Sequence, residues 1–191
     1  MDKAKKSGSA IFMDCVILIA LVVFVISFFM YYSGRTDSNL ALWIGVTTFT
    51  ITYHFEARLI MGRVTEYFPI RYDQWWFNER SFERGFYQAI RVKKWKDKAL
   101  TYNPELFKLT NYSLEEIANH MAKAEVDHWI NELISISTLL FALVWGQFWI
   151  FAITCIAAML FDAQFIAIQR YNRPRMKRLI KKEKDRAAKV A

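Results

Sequence analysis

Cysteine and histidine are scarce in this sequence, and each shortage excludes chemistry. Two cysteines, Cys15 and Cys155, cannot by themselves build a disulfide framework or a four-ligand zinc site. Both lie in apolar runs, where a thiol behaves as a small buried hydrophobe. Three histidines, His54, His120 and His128, are too few for a multi-histidine membrane hydroxylase or desaturase. There is no Gly-x-Ser-x-Gly elbow, no phosphate-cradling loop, no dinucleotide fingerprint and no internal repeat. With no cysteine at a polar surface, covalent catalysis lacks a strong nucleophile, and direct transfer assisted by a base is the simpler chemistry.

What is present is segregated. The 191 residues are 54% hydrophobic and 17% aromatic, yet 23% are charged, with a net charge of +8. Apolar blocks beside charge blocks indicate a small integral membrane protein and exclude a disordered chain. The first apolar block, residues 10–32, matches the ~20 residues that a bilayer crossing demands. Its length and its Phe-Phe-Met-Tyr-Tyr end argue for a retained span over a signal peptide. The second, 40–61, turns polar at His54, Glu56 and Arg58. The third stretch, residues 130–168, would be about 58 Å long as one helix. Gly146-Gln147 divides it into spans at 130–145 and 148–168.

Charge placement supports four spans. With both termini cytoplasmic, 24 of the 26 basic residues fall inside: Lys3, Lys5 and Lys6, eleven residues in 62–129, and ten in the tail 169–191. The positive-inside rule is then satisfied. The expected fold is an all-α integral membrane protein forming a single membrane domain over 1–191. It has four transmembrane helices, a cytoplasmic interfacial helical layer at 62–129 between spans 2 and 3, and a multi-pass place in the cell membrane. Aromatic and basic residues alternate through the interfacial layer, which suits anionic lipid headgroups. They predict one or two amphipathic helices over 74–98. Such interleaving also suits binders of single-stranded nucleic acid. Here the basic residues hug the spans, and no nucleic-acid partner is expected. Asn103 caps a predicted helix opening at Pro104. Ser113 and Glu116 form a capping box for a helix from Leu114 to about Trp129 that feeds the third span. The tail from Lys177 to Lys189 reads as a solvated helix touching acidic headgroups.

The segment from His120 to Glu132 carries the most chemistry. On a helix, Glu125, His128 and Glu132 share a face, with His120 near it. An imidazole between two carboxylates is a candidate general base, because a carboxylate neighbour fixes its tautomer and favours proton uptake. Glu-x-x-His is also half of a di-iron carboxylate motif, but the second half is missing. A zinc held by His120, Glu125 and His128 is a weaker alternative. Arg170, Arg173 and Arg175 follow the last span, and Arg91, Lys93, Lys94 and Lys96 form a second basic cluster. Guanidinium forks of this kind bind phosphate or carboxylate. Asp14, one turn inside the first span, is a lesser candidate.

Three elements resemble a known family. They are Arg91-Val-Lys-Lys-Trp95-Lys96, Ala124-Glu125-Val-Asp-His128-Trp129, and Ile168-Gln-Arg170-Tyr-Asn172-Arg173-Pro-Arg175. In this order they resemble the glycosyl-4,4'-diaponeurosporenoate acyltransferases of staphyloxanthin-type carotenoid synthesis. The resemblance covers roughly the C-terminal half, and His120 lies outside its elements. It implies transfer of a fatty acyl group from an acyl-CoA or acyl-carrier co-substrate to a hydroxyl of a glycolipid or carotenoid glycoside at the inner leaflet. No other cofactor and no metal are implied. His128 would deprotonate the hydroxyl and Glu125 would orient His128. Arg91, Lys94, Trp95, Lys96, Trp129, Arg170, Asn172, Arg173 and Arg175 would contact substrate, with the arginines neutralising donor phosphates or the developing oxyanion. The competing readings are a non-catalytic membrane subunit that docks a cytoplasmic partner and a metal-dependent lipid-modifying enzyme; a homo-oligomer or a partner subunit is a further expectation.

Overall fold

The computed structural model describes residues 8–99 and 104–190. Lys3, Lys5, Lys6 and Asn103 lie outside the described residues, so the N-terminal basic cluster and the Asn103 cap do too. Among the described residues all regular structure is helical. The chain forms two compact units, one of Met1–Val64 with Ile130–Phe161, the other of Thr65–Trp129 with Asp162–Ala191.

In the first unit, α1 (Gly8–Tyr32) and α2 (Asn39–Val64) form a hairpin. Gly34 ends α1 with a left-handed φ of 69°, and the Arg35 N–H reaches back to the Met30 carbonyl at 3.1 Å. That is how a glycine satisfies orphan carbonyls at a helix end. Ser38 opens α2 by accepting the Leu40 N–H at 3.2 Å, an N-cap bond. Gly45 is placed where the two helices touch: a Cβ there would lie 2.3 Å from Phe28 Cδ1. Gly45→Ala is therefore expected to cost about 1–3 kcal/mol, the usual price of overpacking, seen as a lower thermal midpoint in detergent. A variant as stable as the parent would show that the helices do not meet there.

The core of this unit is Leu42, Val46 and Phe151, ringed by Phe28, Phe49, Phe141 and Trp145. Phe49 meets Phe141 and Trp145 edge-on, with centroids 4.9 and 4.8 Å away, the geometry that aromatic quadrupoles favour. Hydroxyls of Thr50, Thr138 and Thr154 donate to carbonyls one turn earlier, which satisfies them in apolar surroundings. Among the described residues three segments are long and apolar enough to cross a membrane: Ile11–Tyr32, Leu114–Trp145 and Phe148–Lys189. α2 has comparable length but carries Glu56, Arg58 and Arg63 in its second half.

The expected capping box closes the start of α5 (Leu114–Ser137). Glu116 accepts the Ser113 N–H at 2.8 Å, and Ser113 Oγ accepts the Glu116 N–H at 3.3 Å. α5 passes Trp129 unbroken, then tightens into a 3-10 turn and the short α6 (Ala142–Trp145). The chain turns at Gly146 (φ 72°) and Gln147 (φ 23°) before α7 (Phe148–Val190). α7 continues through Pro174, whose missing N–H leaves the Arg170 carbonyl without its helical donor.

Over 74–98, where one or two amphipathic helices are expected, two short helices form: a 3-10 turn at Trp75–Phe77 leads to α3 (Glu83–Ala89) and α4 (Val92–Trp95), followed by another 3-10 turn at Lys96–Lys98. Arg91, left-handed at φ 54°, separates α3 from α4. The residues that anchor the stretch are Phe77, Glu83, Tyr87 and Val92. Their spacings of six, four and five fit no single helical stripe. Tyr87 and Val92 pack on Ala167, with Trp95, Ile168 and Tyr171 around them. Pro104–Phe107 is a 3-10 turn where a helix was expected. The tail from Lys177 is helical and mostly exposed, with Lys184 on Glu115 at 2.5 Å and Lys177 on Asn78 at 3.2 Å.

Candidate active site

α5 and α7 together build the polar interior of the second unit. The 3.6-residue period puts Glu125 and His128 on one face of α5 and Asp162, Arg170 and Arg173 along one face of α7. Glu125 is 0% exposed. One of its oxygens accepts from Arg170 Nε at 2.8 Å, and the other pairs with Arg173. Arg170 also pairs through Nη1 with Glu83 of α3, itself buried. Arg170 lies over the Trp76 ring at 5.6 Å and Arg173 over Phe77 at 5.1 Å. Two carboxylates and two guanidiniums thus form one buried network that joins α3, α5 and α7. Burial pulls the Arg173 guanidinium down to about 10, against the neighbouring Glu83, and still leaves it charged at neutral pH. Burial and Glu83 together raise the Tyr87 phenol.

One turn further along α5, His128 Nδ1 lies 2.8 Å from Asp162 Oδ1. Asp162 is 1% exposed, whereas the His128 side chain keeps 21% exposure. The imidazole stacks on Phe165, 4.7 Å between centroids and 7° from parallel. Carboxylate, ring and stacking partner fix the ring plane and direct a proton to Nδ1, which leaves Nε2 as the nitrogen able to accept one.

This corrects the partner expected from sequence. Glu125 does not orient His128, because Arg170 and Arg173 take both of its oxygens. Asp162 does. Glu132 is buried in the first unit. Sequence reasoning missed Asp162, although an acid inside the apolar run 148–168 was a signal of its own. The arginines also differ from expectation. Arg170 and Arg173 are buried and paired, while Arg175 is exposed. The three therefore do not form one open anion fork.

Of the other expected residues, Arg91, Lys93 and Lys94 are exposed. Lys96 donates to Asn172 at 3.1 Å and lies over the Tyr171 ring at 5.7 Å. Trp95 Nε1 donates to the Ile90 carbonyl at 3.0 Å. Trp129, 40% exposed, meets Trp76 edge-on at 6.4 Å. His120 packs on Tyr112 at 4.9 Å. With Glu125 held by arginines and His128 by Asp162, the weaker zinc set does not assemble. Among the described residues no three His, Cys, Asp or Glu side chains group as metal ligands. Near the start of this unit, buried Thr65 bonds Asp127 at 2.5 Å, and Lys123 bridges both.

Among the described residues the structure is all helical with three apolar helices of membrane-crossing length, the features of a membrane protein, and its second unit holds a carboxylate-backed imidazole. The family model of the glycosyl-4,4'-diaponeurosporenoate acyltransferases matches residues 73–182. That is more than half of the chain, and the chain belongs to this family. The protein is accordingly an acyltransferase of the carotenoid-biosynthesis type. The match encloses Glu83, the Arg91–Lys96 cluster, Glu125, His128, Asp162, Arg170, Arg173 and Arg175. Searches among curated proteins and among solved structures return no significant match.

Proposed function

We propose that the protein moves a fatty acyl group from an acyl-CoA or acyl-carrier thioester to a hydroxyl of a glycolipid or carotenoid glycoside at the inner leaflet. The Asp162–His128 pair carries this reading. His128 Nε2 takes the hydroxyl proton as the oxygen attacks the thioester carbonyl. The C–S bond breaks, and the proton passes to the departing thiolate. Asp162 holds the Nδ1 proton and balances the imidazolium that forms. No covalent acyl-enzyme is required. The buried Glu83–Arg170–Glu125–Arg173 network keeps α3, α5 and α7 in register around the base.

In the proposed topology α1, α2, the run 130–145 and the first half of α7 cross the membrane, with both termini cytoplasmic. Residues 62–129 then lie at the cytoplasmic face. The placement of 24 of 26 basic residues on that side supports it. Exposed Arg91, Lys93 and Lys94 face the donor, whose phosphates or acidic carrier they attract.

The test is incubation of the purified protein with radiolabelled acyl-CoA, or acyl-carrier protein, and a membrane glycolipid extract, scoring labelled ester. Ester formation from neither thioester would sink the proposal. Reversing charge at Arg91, Lys93 and Lys94 is expected to raise KM for the donor about tenfold or more, with kcat little changed, because it removes ground-state attraction.

A further inference from the structure

α3 and its two flanking residues carry two stripes, both within the second unit. Glu83 and Tyr87, one turn apart, are buried against α7, where Glu83 pairs with Arg170 and Tyr87 packs on Ala167. Phe82, Phe86 and Ile90 stand four residues apart, and the Phe86 and Ile90 N–H groups donate to the Phe82 and Phe86 carbonyls at 3.0 Å each. These three side chains therefore rise one above another on a second face, about a quarter of a turn from that of Glu83 and Tyr87. The fold leaves the second face open: Phe82 is 64%, Phe86 51% and Ile90 41% exposed. A contiguous apolar stripe is unfavourable in water and marks a contact with something apolar.

We propose that this stripe is a membrane-contact surface: Phe82, Phe86 and Ile90 enter the boundary between headgroups and acyl chains of a bilayer that contains anionic phospholipid. The proposal goes beyond acyl transfer and holds whatever chemistry His128 performs. Charge and area select the occupant. The exposed charges over residues 79–94 are Arg80, Arg84, Arg91, Lys93 and Lys94 against Glu79, since Glu83 is buried and paired. A basic border around an apolar stripe attracts acidic headgroups and brings the rings to the acyl boundary. Arg84 and Gln88 stand on the side of α3 away from the stripe, which gives the helix the opposed polar and apolar faces of an interfacial element. The area decides against a stable protein partner. The three side chains offer about 300 Å², taking ~200 Å² for a whole side chain of this size, whereas a stable protein interface needs about 800 Å² from each partner. A bilayer sets no such threshold, because a chain with membrane-length apolar helices meets it without a further association step.

The experiment puts the photoreactive amino acid p-benzoylphenylalanine in place of Phe82, Phe86, Ile90 or Gln88 in the full chain, held in nanodiscs of phosphatidylcholine and phosphatidylglycerol in equal parts. Irradiation and mass spectrometry then read what each position touches. Lipid adducts are expected at 82, 86 and 90, about fivefold or more above those at 88, which faces water. Phosphatidylglycerol adducts are expected to exceed phosphatidylcholine adducts by about threefold, and Arg80→Glu with Arg84→Glu should shrink that bias. The three stripe positions are read independently, so a variant that fails to fold leaves the others to decide. Adducts to a second copy of the chain in place of lipid would overturn the assignment, as would the absence of lipid adducts from the folded stripe variants. Equal lipid capture at 88, or equal capture of the two lipids, would overturn it too. Ester formation plays no part in the readout, so this proposal and the acyl-transfer reading fail separately.

Discussion

His128→Ala is expected to lower kcat for acyl transfer by about 10²–10⁴-fold, the usual contribution of a positioned general base. The side chain keeps access to the surface while its Nδ1 is held by a carboxylate that has almost none. Asp162→Asn separates catalysis from folding. It preserves size and one hydrogen-bonding oxygen, but it removes the charge that balances an imidazolium and frees the ring to take the other tautomer. A fall in kcat with KM for the acceptor little changed is expected, together with an altered pH–rate profile. If Asp162→Asn is as active as the parent over the whole pH range, the pair is structural and the base lies elsewhere. Phe165 acts on the same ring by stacking, so Phe165→Ala should give a smaller loss of the same kind.

Glu125→Ala is expected to destabilise the protein by about 3–5 kcal/mol, because it removes the carboxylate paired with buried Arg173 and leaves buried Arg170 with Glu83 alone. Circular dichroism melting in detergent would show it as a lower midpoint, and proteolysis between α3 and α5 should become faster. The cost comes from the orphaned charges and not from the pair itself. Replacing the whole set by apolar residues of similar volume, Glu83→Leu, Glu125→Leu, Arg170→Met and Arg173→Met, is therefore expected to recover much of the stability. If the quadruple variant stays as unstable as Glu125→Ala, the network contributes directed hydrogen bonds that hydrophobic packing cannot replace. A folded Glu125→Ala protein without activity but with the parent's melting point would instead return Glu125 to the reaction itself.

Local features of the chain were legible in the residues. The turn at Gly146-Gln147 and the Ser113–Glu116 box each depend on residues within a few positions of one another, so local stereochemistry settles them. In the stretch 74–98 the alternation of aromatics and bases does not show where the short helices α3 and α4 begin and end. Its buried anchors are chosen by α7, not by a period of its own. The same cause lies behind the error at His128. Spacing along α5 brought Glu125 onto the histidine's face and made it the nearest acid in sequence. The acid that bonds the ring stands 34 residues away.

By itself the sequence determined the apolar blocks, their breaks, the basic clusters and the three elements that carry the family resemblance, since each is a property of neighbouring residues and of composition. The tertiary structure decided which charges meet. It gave Asp162 to His128, gave Glu125 to Arg170 and Arg173, and left Arg175 outside. Helical periodicity fixes only the face on which a side chain stands, while the packing of α7 on α5 fixes what that face confronts, and in a buried setting an ion's role follows from its partner.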